Sequence, residues 1–436
     1  MRSAAMRDEP RVTDAEARRI AFAAFVGTAL EWYDYFLYGT AASIVFNRLY
    51  FVSGDPVVAT LAAFASFAVG FVARPIGAVI FGHVGDRRGR RASLIITVTM
   101  IGVVTALIGL LPDFAAIGVA APILLTLLRV FQGIAVGGEW GGAVTLAVEH
   151  APPERRGRYA ALPQVGSPIG TLLSSGAFAL VSLLPADAFD SWGWRLPFLA
   201  AIPLLFVALY LRRRIEESPL FTELLQQQER SSSPVVEVLR RSFGRVLVGL
   251  SASLLGVGGF YLLTTFAISY GTETLHLPRS LMLGATLVAA VVEIAILLAF
   301  GRLAERWGPG NVCVVGGVAS ALVAFPVFWL IDTKNPALVV LAITAGVACL
   351  SVPYAVAGSL LTELFPPQLR YSGVSIAFNL GGVVSGFVPF AATAVLAASG
   401  KQSWSVALLL VGLSVLTALG GAIGERLRIE DDVSAA

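Results

Sequence analysis

FAVGFVARPIGAVIFGHVGDRRGRR, residues 67 to 91, is an apolar run that ends abruptly in glycines and arginines. The apolar part extends back to about residue 57, and a helix of that length matches the hydrocarbon core of a bilayer. Arg87, Arg88, Arg90 and Arg91 would then stand in water at one membrane face. The rest of the chain repeats this pattern. It is 56% hydrophobic and 14% charged, where a soluble domain carries about 25% charged residues. So many apolar runs of about 20 residues cannot fit around one soluble core. The 44 glycines and 22 prolines also suit transmembrane helices. The first run reads as a retained span and not a cleaved leader, because Glu31 and Asp34 interrupt it. Cys313 and Cys349 are too few for a disulfide framework and read as inert packing.

Twelve spans are expected, over roughly 20–46, 57–81, 92–111, 120–147, 160–184, 196–212, 244–270, 280–301, 311–331, 337–361, 372–396 and 403–424. Charge tests that count independently. Of 31 basic residues, 24 fall in the termini and alternate loops on one side, five fall on the other, and Arg74 and Arg129 lie within spans. The Arg-rich side should be cytoplasmic. Both termini belong to it, so the number of spans is even. The net charge of +3 therefore marks orientation and implies no nucleic acid.

The two halves echo each other. GHVGDRRGRR at 82–91 returns as GRLAERWGPG at 301–310, and PPERRG at 152–157 returns as PPQLRYSG at 366–373. Such a repeat about an axis along the membrane normal describes a two-bundle transporter. The expected fold is an all-α membrane protein with twelve transmembrane helices in two six-helix bundles. The segments are 1–19, a first bundle at 20–212, a linker at 213–243, a second bundle at 244–424 and a tail at 425–436.

GTALEWYDYFLYGTAA, residues 27 to 42, places two acids inside an apolar span. At 100° per residue Glu31, Asp34, Tyr35 and Tyr38 share a broad face. Intramembrane acids normally face the bundle interior or a water-filled path, so Glu31 and Asp34 are candidates to handle a proton or cation. The alternative is a purely structural ion pair. Arg129 stays charged and needs carboxylates, carbonyls or an anionic ligand. Arg74 could serve the same site, or snorkel to the interface from near a helix end. Glycines at 133, 137 and 141 recur every fourth residue and allow another helix backbone to approach. Glu139 lies at a different angle from Arg129 and reads as a local ion-pair or proton-handling residue, while His150 reads as interfacial. Glu293 is deep in the eighth span and should face the cavity or be carried neutral; Asn379 is an uncharged candidate of the same kind. In loop 82–91, Gly82, Gly85 and Gly89 permit a tight turn, and Asp86 with Arg87 and Arg90 is a candidate gate latch, against the alternative of a solvated basic loop.

These residues resemble the major facilitator superfamily. GHVGDRRGRR fits its loop between spans two and three, and LLRVFQGIAVGGEWGG fits its fourth-span arginine motif. EWYDYFLYGTAA, WGWRLPF and ELFPPQLRYSG are similar to the metabolite:proton symporter family, which includes transporters for proline and betaine, 2-oxoglutarate, citrate and shikimate. The resemblance covers about residues 20 to 425. It implies that Asp86 and the neighbouring arginines form an inner gate, that Arg129 is linked with coupling, and that uptake across a bacterial-type inner membrane is proton-driven. The second half departs from the pattern. Gly256 and Val257 stand where relatives often have Glu-Asn, Ala357 takes a glutamine place, and Glu305 and Gly310 replace an aspartate and an arginine, which should weaken the second gate loop.

The expected function is proton-coupled symport of a small organic acid or zwitterion by alternating access. The expected partners are protons, a small-molecule metabolite and the lipid bilayer. A proton-coupled exporter of amphipathic compounds is the alternative, since QVGSPIG at 164–170 partly resembles an exporter signature; a transport-inactive sensor fits less well. No phosphate loop or metal cluster is visible, so neither an enzyme nor a cofactor is expected.

Overall fold

The computed structural model describes residues 14–88, 90–137, 140, 144, 147–148, 153–213, 234–366 and 369–429. They form helices joined by short turns. The spanning helices are α1 (Asp14–Ala41), α2 (Pro56–Arg88), α3 (Arg90–Leu110), α4 (Ala120–Val136) and α5, which runs as Arg156–Gln164 and Gly166–Val181. They continue as α6 (Ala201–Arg213), α7 (Phe243–Leu254, prolonged to Thr274), α8 (Arg279–Trp307) and α9 (Pro309–Asp332). The last are α10 (Pro336–Glu363), α11 (Arg370–Gly386 and Val388–Ala398) and α12 (Trp404–Arg426). Seven helices among the described residues are long and apolar enough to cross a membrane by length and composition alone. Shorter apolar helices over Ile95–Leu110, Ala120–Val136 and Gly193–Val207 fill places in the first half.

The sequence explains several ends. Asn335 caps α10 by accepting from Ala337 N at 3.0 Å, with Pro336 in the first turn. Gly308, at φ +83°, makes the turn between α8 and α9. Arg195 donates to the carbonyls of Gly109 (3.1 Å) and Leu111 (2.6 Å), satisfying the end of α3. A short helix, Pro234–Arg241, precedes α7.

Glycines set the closest packing in the first half. A Cβ on Gly133 would lie 1.9 Å from the Gly70 carbonyl oxygen, and one on Gly137 would lie 2.1 Å from that of Arg74. α2 and α4 therefore meet backbone to backbone, as the four-residue glycine spacing predicts. The tight turn expected at 82–91 does not include Gly82 or Gly85. α2 stays helical through Gly82 and Gly85 as far as Arg88, so these two glycines are not turn residues. Gly89 lies outside the described residues, as do the side chains of Asp86, Arg87 and Arg90.

Between the halves, α2 packs on α11 and α5 packs on α8 and α10. On the Arg-rich face, Arg158 grips Glu305: Nη2 to Oε2 is 2.8 Å, Nε to Oε1 is 3.0 Å, and the Arg158 backbone N–H adds a bond of 3.1 Å. Glu305 thus ties the halves together with three bonds. Trp140 stacks on Phe378 at 3.4 Å between ring centroids. On the opposite face, Ser43 donates to the Thr265 carbonyl at 2.8 Å, joining α1 to α7. Both helices carry π-type turns there, at Ala42–Phe46 and Leu262–Phe266. Wider turns of this kind leave the α-ladder out of step and free carbonyls for partners outside the helix. The seam between the halves is thus bridged on both faces.

Candidate functional site

The acids of α1 meet the arginines of α2 and α4 at the centre. Arg74 is buried and pairs with Glu31. The snorkelling alternative for Arg74 is therefore overturned: its neighbour across the helix pair is an acid, and its guanidinium is 5.0 Å from the Tyr35 ring centroid. Burying both charges costs desolvation, which their mutual attraction offsets when geometry is close.

Arg129 does not bond Asp34 directly. Arg129 Nη1 donates to Gln132 Oε1 at 2.6 Å, and Gln132 Nε2 donates to Asp34 Oδ1 at 2.6 Å. Gln132 Nε2 also lies 3.0 Å from Thr105 Oγ1, and the Thr105 hydroxyl is shared between Asp34 and the Ile101 carbonyl. The sequence places Gln132 on the Arg129 face of α4 without giving it a role, and it does not single out Thr105. The i, i+3 spacing puts Gln132 beside Arg129; Thr105 leaves no signal, being one of many threonines in apolar spans. The Arg129 guanidinium sits 4.5 Å from the Tyr35 centroid and 4.4 Å from that of Tyr38, whose hydroxyl bonds Ser66 at 2.8 Å. These ring faces supply cation–π attraction in place of a second carboxylate.

Around this core the two halves contribute aromatics. Trp32 lies 6.3 Å from both Tyr261 of α7 and Tyr354 of α10. Gly256 makes room: a Cβ there would be 2.7 Å from the Tyr354 ring. The space beside Gly256 is thus filled by an aromatic from a neighbouring helix. Several buried polar atoms at the centre have no hydrogen-bond partner, among them Arg129 Nη2, Asp34 Oδ2, Trp32 Nε1, Tyr35 Oη and Tyr261 Oη. A narrow recess between α1, α3 and α6 reaches Glu31 and Asp34.

Glu293 is fully buried in α8. Neither carboxylate oxygen has a hydrogen-bond partner. Asn379 is committed elsewhere: its Nδ2 donates to Gly137 O (3.0 Å) across the seam and to Ser375 O (2.9 Å), which makes it a bridge between α11 and α4. Glu139 and His150 lie outside the described residues.

Comparison with known proteins bears on the family and the fold. Residues 24–389 match the model of the Major Facilitator Superfamily. The chain is 41% identical over 426 residues to the shikimate transporter of Escherichia coli, covering 94% of this chain and 96% of the relative. It is 33% identical over 397 residues to the proline/betaine transporter of the same organism, covering 88% and 79%. A crystal structure of a D-xylose–proton symporter superposes with a TM-score of 0.73 at 18% identity, covering 91% of this chain and 96% of that one, which supports the twelve-helix, two-bundle fold. This chain is a multi-pass transport protein and belongs to the Major Facilitator Superfamily.

Proposed function

We propose that the protein takes up a small organic acid or zwitterion together with protons across a bacterial inner membrane, with both termini cytoplasmic. The observation that carries this reading is the buried chain Arg129–Gln132–Asp34 inside the first bundle, which leaves Arg129 Nη2 and Asp34 Oδ2 without a protein partner. In this reading a proton binds Asp34, with Glu31 as the other candidate. Its charge leaves the cavity and the hold on Gln132 loosens, so Arg129 can turn its free nitrogen to an anionic group on the cargo. Reorientation is then cheaper because the cavity moves with fewer unpaired charges. Arg74 and Glu31 shape the field beside it, and Tyr38 supports Arg129 by its ring.

The bundles are taken as 20–212 and 244–424, rocking about the linker at 213–243. Arg158 and Glu305 would close the cytoplasmic side, together with the arginine loop carrying Asp86, Arg87 and Arg90. Relatives named for shikimate and for proline and betaine favour a compact carboxylate as cargo. The test is uptake of labelled shikimate, proline and betaine into proteoliposomes with an inward proton gradient. Accumulation that vanishes when the gradient is collapsed supports the reading; absence of accumulation under every gradient overturns it.

A further inference from the structure

Arg279 opens α8, directly after Pro278. The helix dipole opposes a cation at that end. Arg279 is also one of only five basic residues that fall on the face opposite the Arg-rich one. Its position needs a partner elsewhere, and one stands across the seam. The Arg279 guanidinium lies 4.3 Å from the ring centroid of Phe189, in the short helix Ala186–Ser191 between α5 and α6. Phe189 is buried, so its ring is out of water. Cation–π attraction is strongest where water is excluded. Burial and the like charge of Arg48 oppose the Arg279 charge, and Asp190 and Glu273 favour it.

Each partner is fixed to its own half. Next to Phe189, Asp190 takes the fork of Arg48, with Nη2 to Oδ1 at 2.8 Å and Nη1 to Oδ2 at 3.1 Å. Arg48 follows α1 and also donates to the Ile44 carbonyl from Nη2 at 3.1 Å, within the π-type turn Ala42–Phe46. In the second half, Tyr270 near the end of α7 and Ser403 just before α12 both donate to Asp332 at the end of α9. The turn from α7 to α8 closes with the Leu277 N–H on the Gly271 carbonyl at 2.8 Å, and it holds His276 at φ +59°. A left-handed backbone at a residue other than glycine costs energy and persists only where its surroundings fix it. The turn that delivers Arg279 is thus set against the second half, and Phe189 and Asp190 against the first. This contact cannot survive the halves moving apart on its face.

We propose that Arg279 on Phe189, positioned by the Arg48–Asp190 pair, is a latch that holds the seam shut on the face opposite the Arg158–Glu305 grip. The latch goes beyond the uptake reading and rests on it only for orientation, with this face outside. Two turns inward on the same face of α8, Thr286 lines a small recess in the seam with Ser175 of α5. Opening the latch uncovers that recess.

The test places a single cysteine at Ser175, in a background where Cys313 and Cys349 are replaced, and adds a membrane-impermeant thiol reagent to right-side-out vesicles. Arg279→Leu and Phe189→Leu should each speed labelling about threefold to tenfold. The double variant should be no faster than the faster single one, because the two residues make one contact. A cysteine at Ser375 on α11, labelled in inside-out vesicles, should not speed up. If Phe189→Leu does not fold, Arg279→Lys carries the test: it keeps the charge without the planar fork and should fall between the wild type and Arg279→Leu. Labelling at Ser175 that stays at the wild-type rate, or that multiplies in the double variant, overturns the latch. Equal acceleration at Ser175 and Ser375 marks general loosening and overturns it too. Acceleration at Ser175 seen only in inside-out vesicles supports the latch and overturns the orientation, and with it the uptake reading.

Discussion

Arg129 reaches Asp34 through Gln132, with one hydrogen bond of 2.6 Å on each side of the amide. The charge and the acid are thus coupled through a neutral side chain that can release either partner without leaving two bare ions in contact. Replacing Gln132 by Leu removes both bonds and leaves the Asp34 carboxylate with Thr105 as its described donor. Proton-driven uptake should fall at least about tenfold, since bonds to charged groups are each worth roughly 1.5–3 kcal/mol. Exchange without net proton movement should fall less. Parallel assays of the two modes in proteoliposomes measure the difference.

Glu31 and Arg74 behave as one unit because both are buried. Glu31→Ala strands a buried guanidinium and should cost about 3–5 kcal/mol. The double variant Glu31→Ala with Arg74→Leu should recover much of that, since an apolar pair needs no partner. Thermal unfolding in detergent of the two single variants and the double variant reads the coupling directly; additive losses would show that the pair is not a unit.

The α2–α4 contact gives a prediction of the opposite kind, steric and not electrostatic. Gly133→Val places a branched side chain where even a Cβ meets the Gly70 carbonyl oxygen at 1.9 Å. The helices must separate, and the folded yield should collapse. Gly412, whose Cβ would meet nothing within 4 Å, should accept Ala with no more than about 0.5 kcal/mol of change. Expression and monodispersity in detergent compare the two.

Much of this was legible in the sequence because bilayer thickness fixes helix length and because charge cannot be spread evenly over apolar spans. The helices, the acids of α1 and the arginines of α2 and α4 follow from those two constraints. What one chain read alone does not carry is which helices touch. Arg74 reads either as a partner for the acids or as a snorkelling residue until α1 is laid beside it with Glu31 at the right height. Glu305 reads as a weak copy of an aspartate until Arg158 meets it from the other half. Asn379 reads as a cavity residue until the Gly137 carbonyl takes its amide. The roles of Gln132 and Thr105 escape for a further reason: neutral polar residues are tolerated in spans, so their presence alone signals little.

The cross-seam grip of Arg158 on Glu305 predicts a conformational readout. Glu305→Ala removes all three bonds on the Arg-rich face. A single cysteine placed at Ser375, which is buried on α11, should then react several-fold faster with a membrane-impermeant thiol reagent added from the cytoplasmic side. This comparison is made in a background where Cys313 and Cys349 are replaced. Exchanging the charges, with Arg158→Glu and Glu305→Arg together, should slow the labelling again. Equal labelling in every variant would show that this pair does not hold the seam.

The most direct measurement of the central claim is accumulation of labelled carboxylate by proteoliposomes carrying the wild type or Asp34→Asn, with an inward proton gradient imposed and then collapsed. The account predicts gradient-driven accumulation in the wild type that ends on collapse. For Asp34→Asn it predicts counterflow exchange without accumulation. Accumulation by Asp34→Asn that still follows the proton gradient would contradict the assignment of Asp34 as the coupling acid.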